Sequence, residues 1–339
     1  MQNKRILFTA PSVTELVDIP MPEMKPGHVL VKVAYSTISS GTERANLVGS
    51  TSLTPNSKPG TPPTYPRGSG YSTSGVVEAV GEGVESLKVG DRVAMCWTTH
   101  SRWVCMPEKN VIKISDCLGF SETSLLHIAA FPLAAIRKCR LEIGESAIVM
   151  GQGILGQMAL GLLRAAGAAP IIACDPVAAK RERALELGAD YALDPLEPDF
   201  AEKVKELTNG GAHVAIEVTG VGAGLNGALD CMRKFGRVAL LGCTRNSDFT
   251  VDYYRKVHGP GITLVGAHTI ARPEEESYPG YWTTRDDMMA MERLLCCGRL
   301  DWSKLVEEVH SPAEAPEVYN RLATEKFFPI VQFDWSLLD

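Results

Sequence analysis

The chain is 339 residues long, with 45% hydrophobic and 22% charged residues. That is room for about two domains and a composition that excludes a disordered or fibrous protein. Its 40 acidic against 34 basic side chains give a net charge of −6, and an acidic surface has no general attraction for phosphate backbones or anionic lipid, so neither nucleic acid nor membrane is an expected partner.

Residues 1–10 hold only Ile6-Leu7-Phe8 as an apolar run, too short for an export signal. Up to about residue 115, short β-type runs at 28–36, 75–80, 92–95 and 111–114 are broken by turn residues, which predicts an irregular, mostly β unit. Between Gly49 and Gly70, five prolines (55, 59, 62, 63, 66) among Gly, Ser and Thr predict a loop of the kind that borders a site. From Ser124 the rhythm changes. Strands are predicted at 147–150, 171–174, 191–193, 214–218, 238–241 and 262–265, with helices such as 178–187 and 200–207 between them. Six short strands alternating with helices mean a doubly wound parallel sheet, so the fold class is α/β with a second, β-rich unit. The uncharged stretch 146–163 reads as a strand, a glycine turn and a buried helix rather than a membrane span. Beyond His268 come a loop rich in Pro, Glu and Tyr, a helix near 284–297 with Cys296-Cys297 expected in the core, a helix at 313–324 and a strand at 329–333. Nine cysteines without a C-x-x-C pair are expected as free thiols in a reducing, cytoplasmic compartment.

Gly151, Gly153 and Gly156 form G-x-G-x-x-G directly after the strand 147–150 and directly before an apolar helix. A pyrophosphate site needs that placement: a tight turn, close backbone approach, and a helix N-terminus with free N–H groups. The second strand ends in Asp175, nineteen residues beyond Gly156, where a carboxylate takes both ribose hydroxyls of an adenosine and repels a 2′-phosphate. NAD is the expected cofactor. Lys180 reaches the same ribose or is simply solvated, and Arg181 and Arg183 beside it leave room for NADP. The plainer alternative for the whole motif is a Gly-rich turn whose Asp caps the next helix.

The segments Gly75-Val76-Val77-Glu78-Ala79-Val80-Gly81 and Val89-Gly90-Asp91-Arg92-Val93, together with the order of the parts, resemble the medium-chain dehydrogenase/reductase (alcohol dehydrogenase-like) superfamily over essentially the whole chain. The resemblance implies a GroES-like catalytic domain at 1–123 and 269–339 around a Rossmann NAD(P)-binding domain at 124–268. It also implies an active site between the two, hydride transfer at the nicotinamide C4, and a homodimer paired through the strand 262–265. Ile154, Leu155, Thr219, Gly242 and Ala267 join the glycines in the implied cofactor set.

Zinc-dependent members carry Cys-Gly-Thr-Asp and Gly-His-Glu where this chain has Ser40-Gly41-Thr42-Glu43 and Gly70-Tyr71-Ser72, and their third ligand falls near Ala130 or Phe131. Zn²⁺ takes thiolate, imidazole or carboxylate, so no zinc is expected. The four-cysteine lobe of the superfamily is missing too; either Cys96, His100 and Cys105 improvise a metal site or, on the plainer reading, Cys96 and Cys105 are half-buried thiols on strands flanking a Trp-rich turn. The pattern is similar to a zinc-free branch that includes the chlorophyll-pathway hydroxyethyl dehydrogenase and related sugar-cluster enzymes.

Without a metal, hydrogen-bond donors must handle the hydroxyl proton and the developing alkoxide. Tyr71 is the expected acid/base or oxyanion donor, Thr42 the relay, and Ser40 a neighbouring hydroxyl; the alternative for Tyr71 is an aromatic that fills the vacated volume. Arg44 or Arg67 is the candidate cation beside Tyr71, or binds the substrate through its planar fork. His127, at the start of the linking helix, is a catalytic or packing candidate, and His268 is expected beside the nicotinamide. Tyr278, Tyr281 and Trp282 make an aromatic loop suited to a cyclic substrate or to plain packing. The expected function is a zinc-independent NAD(H)-dependent oxidoreductase for a secondary alcohol or ketone of a cyclic polyol or sugar-like small molecule. The alternatives are an NAD(P)H-dependent enone or quinone reductase of the same fold and a nucleotide-binding protein without turnover.

Overall fold

Alternation along His28–Thr37 buries Val29, Val31 and Val33 at 0 to 3% exposure and leaves Lys32 outside, so the strand has one wet face and one core face. The computed structural model containing it describes all residues except Met1, Pro55, Ser57, Pro59, Asn246, Asp248 and Asp339. Two prolines of the proline-rich loop, Pro55 and Pro59, therefore lie outside the described residues. The chain divides into two compact units, residues 1–128 with 288–298 and 302–339, and residues 129–287 with 299–301.

The first unit is β-rich. Its larger sheet runs Glu308–His310, Val331–Asp334, His28–Thr37, Ser72–Val80, Arg92–Cys96, Val111–Lys113, and Trp103–Pro107 also pairs with His28–Thr37. A smaller sheet joins Val13–Ile19, Asn3–Ala10 and Arg67–Gly68. Ile6, Phe8, Val31, Tyr319, Phe333 and Trp335 share the core, so the C-terminal helix Ala315–Thr324 and the last strand return to the unit in which the chain began. The hairpin at the start and the strand Trp103–Pro107 were not expected. Their apolar residues alternate with Lys, Arg, Thr and Cys over so few positions that the period is weak without the neighbouring strands.

The second unit holds six parallel strands in the order Tyr191–Leu193, Ile171–Cys174, Ala147–Met150, Ala212–Glu217, Met232–Leu240, Thr263–Gly266. Ala147 to Met150 are all buried, as a central strand covered on both faces must be. Strand order reverses between Ala147–Met150 and Ala212–Glu217, and in doubly wound sheets a binding crevice opens at the carboxyl ends of such a pair.

The boundaries differ from the expected 124 and 268, because the segment after His268 is bound to the helix Leu126–Lys138. Arg272 donates to the Ala130 carbonyl (2.7 Å), Arg137 Nε to Asp287 Oδ1 (2.7 Å) and Lys138 Nζ to the Gly266 carbonyl (3.1 Å). Asp287 is fully buried, and burial raises its carboxyl pKa against the opposing pull of Arg272 and Arg137. Cys296 and Cys297 are exposed rather than in the core, since the buried stripe of the helix Thr284–Cys296 is formed by Met288, Met291 and Leu295. Among the described residues no helix is long and apolar enough to cross a membrane.

Candidate active site

The glycine turn is built by steric necessity. A Cβ on Gly156 would lie 1.9 Å from the Gly151 carbonyl oxygen, and Gly151 itself sits at φ +97° with Thr219 Cγ2 2.9 Å from where its Cβ would be. Gly153 meets nothing within 4 Å, which leaves open space in front of the helix Ile154–Ala165, where Ile154 and Leu155 present first-turn amides. Asp175, 6% exposed, accepts the Gln152 N–H (2.8 Å) on one oxygen and the Val177 N–H (2.9 Å) on the other, so its carboxylate is fixed against the glycine turn. Lys180 is half-buried on the helix Ala178–Glu186. Arg181 binds the Asp175 carbonyl (2.8 Å) and Asp194 (3.1 Å), and Arg183 binds Gln157 (3.2 Å). Both have work inside the unit, which weakens the basic cluster as a receptor for a 2′-phosphate.

At the neighbouring strand end, the Thr219 N–H donates to Glu217 Oε1 (2.7 Å), and the Thr219 hydroxyl donates to the same oxygen. Glu217 is 2% exposed, and burial raises its carboxyl pKa although Thr219 and Gly220 hydrogen-bond to it. Sequence reasoning missed this residue; its only signal was a carboxylate ending an otherwise apolar strand. A Cβ on Gly242 would lie 2.3 Å from Gly220 N, and Ala267, 2% exposed, donates its N–H to the Leu240 carbonyl (3.1 Å). These residues line the strand ends that the motif implied. Beyond Ala267, burial and then the charges of Arg245 and Lys138 lower the His268 imidazole pKa, so it is neutral at pH 7.

In the first unit the Tyr71 hydroxyl donates to Ser39 Oγ, and the Ser39 N–H donates to Glu43 Oε1 (2.8 Å). The partner is Ser39 rather than Ser40, because Ser40 is already the first residue of the helix Ser40–Leu47, which also carries Thr42. His127 is fully buried, and its Nδ1 donates to the Tyr71 carbonyl (2.6 Å) while its ring meets the Tyr71 and Trp97 rings edge-on, at 5.3 and 4.5 Å. The structure thus brings Tyr71 and His127 together, with the histidine holding the tyrosine backbone.

Behind this pair lies a buried polar network that sequence reasoning also missed. Glu43, 2% exposed, has Oε2 3.1 Å from His100 Nε2 and accepts the Tyr319 hydroxyl; His100 Nδ1 lies 2.8 Å from Ser36 Oγ, which accepts Trp335 Nε1 at 2.9 Å. Burial, then the Glu43 charge, raises the Tyr319 phenol well above its usual pKa. Glu43 shares the buried side of its helix with Ala45 and Leu47, and only the fold shows what it meets there.

The remaining candidates are held by other elements. The Arg44 guanidinium donates to the Ala323 (3.1 Å) and Glu325 (3.0 Å) carbonyls, so it closes the C-terminal turn of the helix Ala315–Thr324 instead of attending Tyr71. Arg67 lies on the short strand paired with Leu7 and Phe8. Trp282 has the Arg137 guanidinium over its ring at 3.6 Å, and Tyr281 stacks on Tyr278 at 5.2 Å with their backbones paired, so the aromatic loop packs on its own unit.

The family-type zinc ligand set can be tested on chemistry alone. The matching positions are the hydroxyls of Ser40 and Tyr71 and the buried apolar Ala130 and Phe131, which supply no thiolate, imidazole or carboxylate. This donor set does not fit zinc. Among the described residues no group of three or more His, Cys, Asp or Glu side chains is arranged to hold a metal ion.

Known proteins place this architecture. Residues 25–128 match the alcohol dehydrogenase GroES-like domain family and residues 155–283 the zinc-binding dehydrogenase family. The chain is 32% identical over 252 residues to the (R,R)-butanediol dehydrogenase of Bacillus subtilis, covering 66% of this chain and 72% of that one. It is 25% identical over 333 residues to the D-guloside 3-dehydrogenase of Escherichia coli, covering 93% and 95%. The crystal structure of 2R,3R-butanediol dehydrogenase from Bacillus subtilis superimposes with a TM-score of 0.81 at 26% identity, covering 98% of this chain and 99% of that one.

Proposed function

The chain belongs to the alcohol dehydrogenase-like medium-chain dehydrogenase/reductase superfamily and is an oxidoreductase of that type, and within it we propose a metal-free, NAD(H)-dependent dehydrogenase. Its substrate is a secondary alcohol, or the matching ketone, on a cyclic polyol or sugar-like small molecule. The observation that carries this reading is the hydrogen-bonded Tyr71–Ser39 hydroxyl pair, with His127 behind it, in which Tyr71 stands at a position matched to a metal ligand in the zinc-dependent pattern. A relative named for a guloside and one named for butanediol support the polyhydroxylated substrate class.

Bound at the glycine turn, NAD supplies a hydride acceptor. Asp175 takes the ribose hydroxyls, and its negative charge disfavours a 2′-phosphate at contact distance. Thr219, fixed by Glu217, borders the same crevice. The Tyr71 hydroxyl is a hydrogen-bond donor, held on Ser39 Oγ. It hydrogen-bonds the substrate oxygen and gives that oxygen a proton as a ketone is reduced; in the oxidising direction it takes the substrate's hydroxyl proton while its own passes to Ser39 Oγ and the Ser39 hydroxyl proton leaves to solvent. His127 acts through the Tyr71 backbone and is a positioning residue.

The test follows nicotinamide absorbance with chelator-treated protein, either cofactor, and a panel of sugars, cyclitols, secondary alcohols, enones and quinones. Reduction of NAD by a polyol, unchanged by chelator, is the expected result. Tyr71→Phe then lowers kcat about 100-fold, within the usual range for general acid–base groups, with NADH affinity kept. Activity that vanishes with chelator and returns with Zn²⁺ overturns the metal-free reading. Oxidation of NADH by enones or quinones alone makes the protein a reductase, and NADH binding with no turnover on the panel makes it a nucleotide-binding protein.

A further inference from the structure

Four of the nine cysteines, Cys96, Cys139, Cys174 and Cys231, are buried, the last three with their thiols pushed up by desolvation. Two of the four exposed ones stand together. Cys117 sits in the turn between the strand Val111–Lys113 and the helix Phe120–Thr123, and Cys296 ends the helix Thr284–Cys296. Both are exposed, and their sulfurs lie 3.0 Å apart. A disulfide needs about 2.05 Å, so a shift of roughly one ångström closes the gap. The two backbones are already held in register, because Glu292 Oε1 accepts the Ser115 N–H (3.1 Å) and the Cys296 thiol (3.4 Å). The Ser115 hydroxyl, 3.2 Å from Cys117 Sγ, and then the Cys296 thiol lower the Cys117 pKa. Cys117 is therefore the better nucleophile, and Cys296, pushed up to about 12 by burial and by the Cys117 thiol, the resolving thiol.

We propose that Cys117 and Cys296 form a reversible thiol–disulfide pair that responds to a low-molecular-weight disulfide. The Cys117 thiolate attacks one sulfur of the small disulfide, forming a mixed disulfide and expelling one small thiolate. Cys296 gives up its proton and attacks the Cys117 sulfur, expelling the second. Two protein thiols are oxidised by two electrons and one small disulfide is reduced to two thiols. The bond joins positions 179 residues apart, and the loop so closed holds almost the whole second unit. Closing so long a loop restricts the unfolded chain. This device is independent of the reaction proposed above.

The experiment treats the full-length reduced protein with oxidised glutathione, blocks remaining thiols, and maps peptides by mass spectrometry. The expected product is two hydrogens lighter, carries a Cys117–Cys296 cross-link, reverts with dithiothreitol, and melts about 5 °C higher than the reduced form. Cys297→Ser keeps the cross-link. Cys296→Ser loses it and retains one glutathione on Cys117. A cross-link between Cys296 and Cys297, glutathione adducts without a cross-link in the unsubstituted protein, or thiols left unmodified at both positions each overturn the proposal.

Discussion

Gly153 and Gly156 belong to one motif, yet they are glycine for different reasons. A methyl group on Gly153 enters open space, whereas on Gly156 it collides with backbone at 1.9 Å. Gly153→Ala is expected to keep its melting temperature within about 1 °C while raising the Kd for NADH at least about 10-fold, since only the pyrophosphate uses that space. Gly156→Ala is expected to cost about 1–3 kcal/mol through overpacking. Thermal scanning with a fluorescence titration of NADH separates the two; equal stability losses would show that Gly153 is structural as well. Glu43 poses a different case. Glu43→Ala leaves His100, Tyr319 and the Ser39 N–H without their buried acceptor, and a denaturant midpoint should report a loss of about 1–3 kcal/mol or more, as leaving buried polar groups unpaired does.

Secondary elements in the first unit are tied by charge as well as by packing. Arg321 on the helix Ala315–Thr324 makes a two-pronged pair with Glu308 on the strand Glu308–His310, at 2.7 and 3.0 Å. Those hydrogen bonds, with His310 adding to them, hold the Glu308 carboxyl at about 2. A folded pKa below the unfolded value of about 4.3 means the stabilisation is complete above that value and is lost as pH falls from about 4.3 towards 2. The pair is partly exposed, so solvent screening limits it to about 1 kcal/mol. Arg321→Ala should therefore lose about that much at pH 7, and its stability difference from the unsubstituted chain should shrink between pH 4.5 and about 2. Chemical denaturation followed by circular dichroism at several pH values measures this, and a difference constant with pH would point to packing of the Arg321 stem instead.

At the scale of the whole molecule, the sheet of the second unit ends in Thr263–Gly266, paired on one side with Met232–Leu240. Thr263, Leu264 and Gly266 are exposed, and the strand carries no charge or proline of the kind that blunts a free edge. We propose that two copies pair through this strand as a homodimer. Light scattering on the eluting protein should give the mass of two chains, and Leu264→Pro, which removes a donor from the outward-facing edge, should give one. A single-chain mass for the unsubstituted protein would refute the pairing.

Much of this was legible before folding. Three strands of the parallel sheet, 147–150, 171–174 and 191–193, lie where hydrophobic patterning put them, because such short apolar runs between turn signals have few other ways to be buried. The glycine turn was legible for a stronger reason: spacing along the backbone brings residue 156 against residue 151 whatever the rest of the chain does. The Ser40 and Tyr71 hydroxyls are likewise in the sequence, but that they stand at ligand positions is what the family resemblance implies. What the sequence could not determine is which distant groups would meet. Tyr71 finds Ser39, Glu43 finds Tyr319 across 276 residues, Arg44 closes a helix near the C-terminus, and Cys117 faces Cys296. Backbone conformation is governed by neighbours a few positions away, but the partner of a buried polar group is selected by topology, and only the tertiary structure decided that.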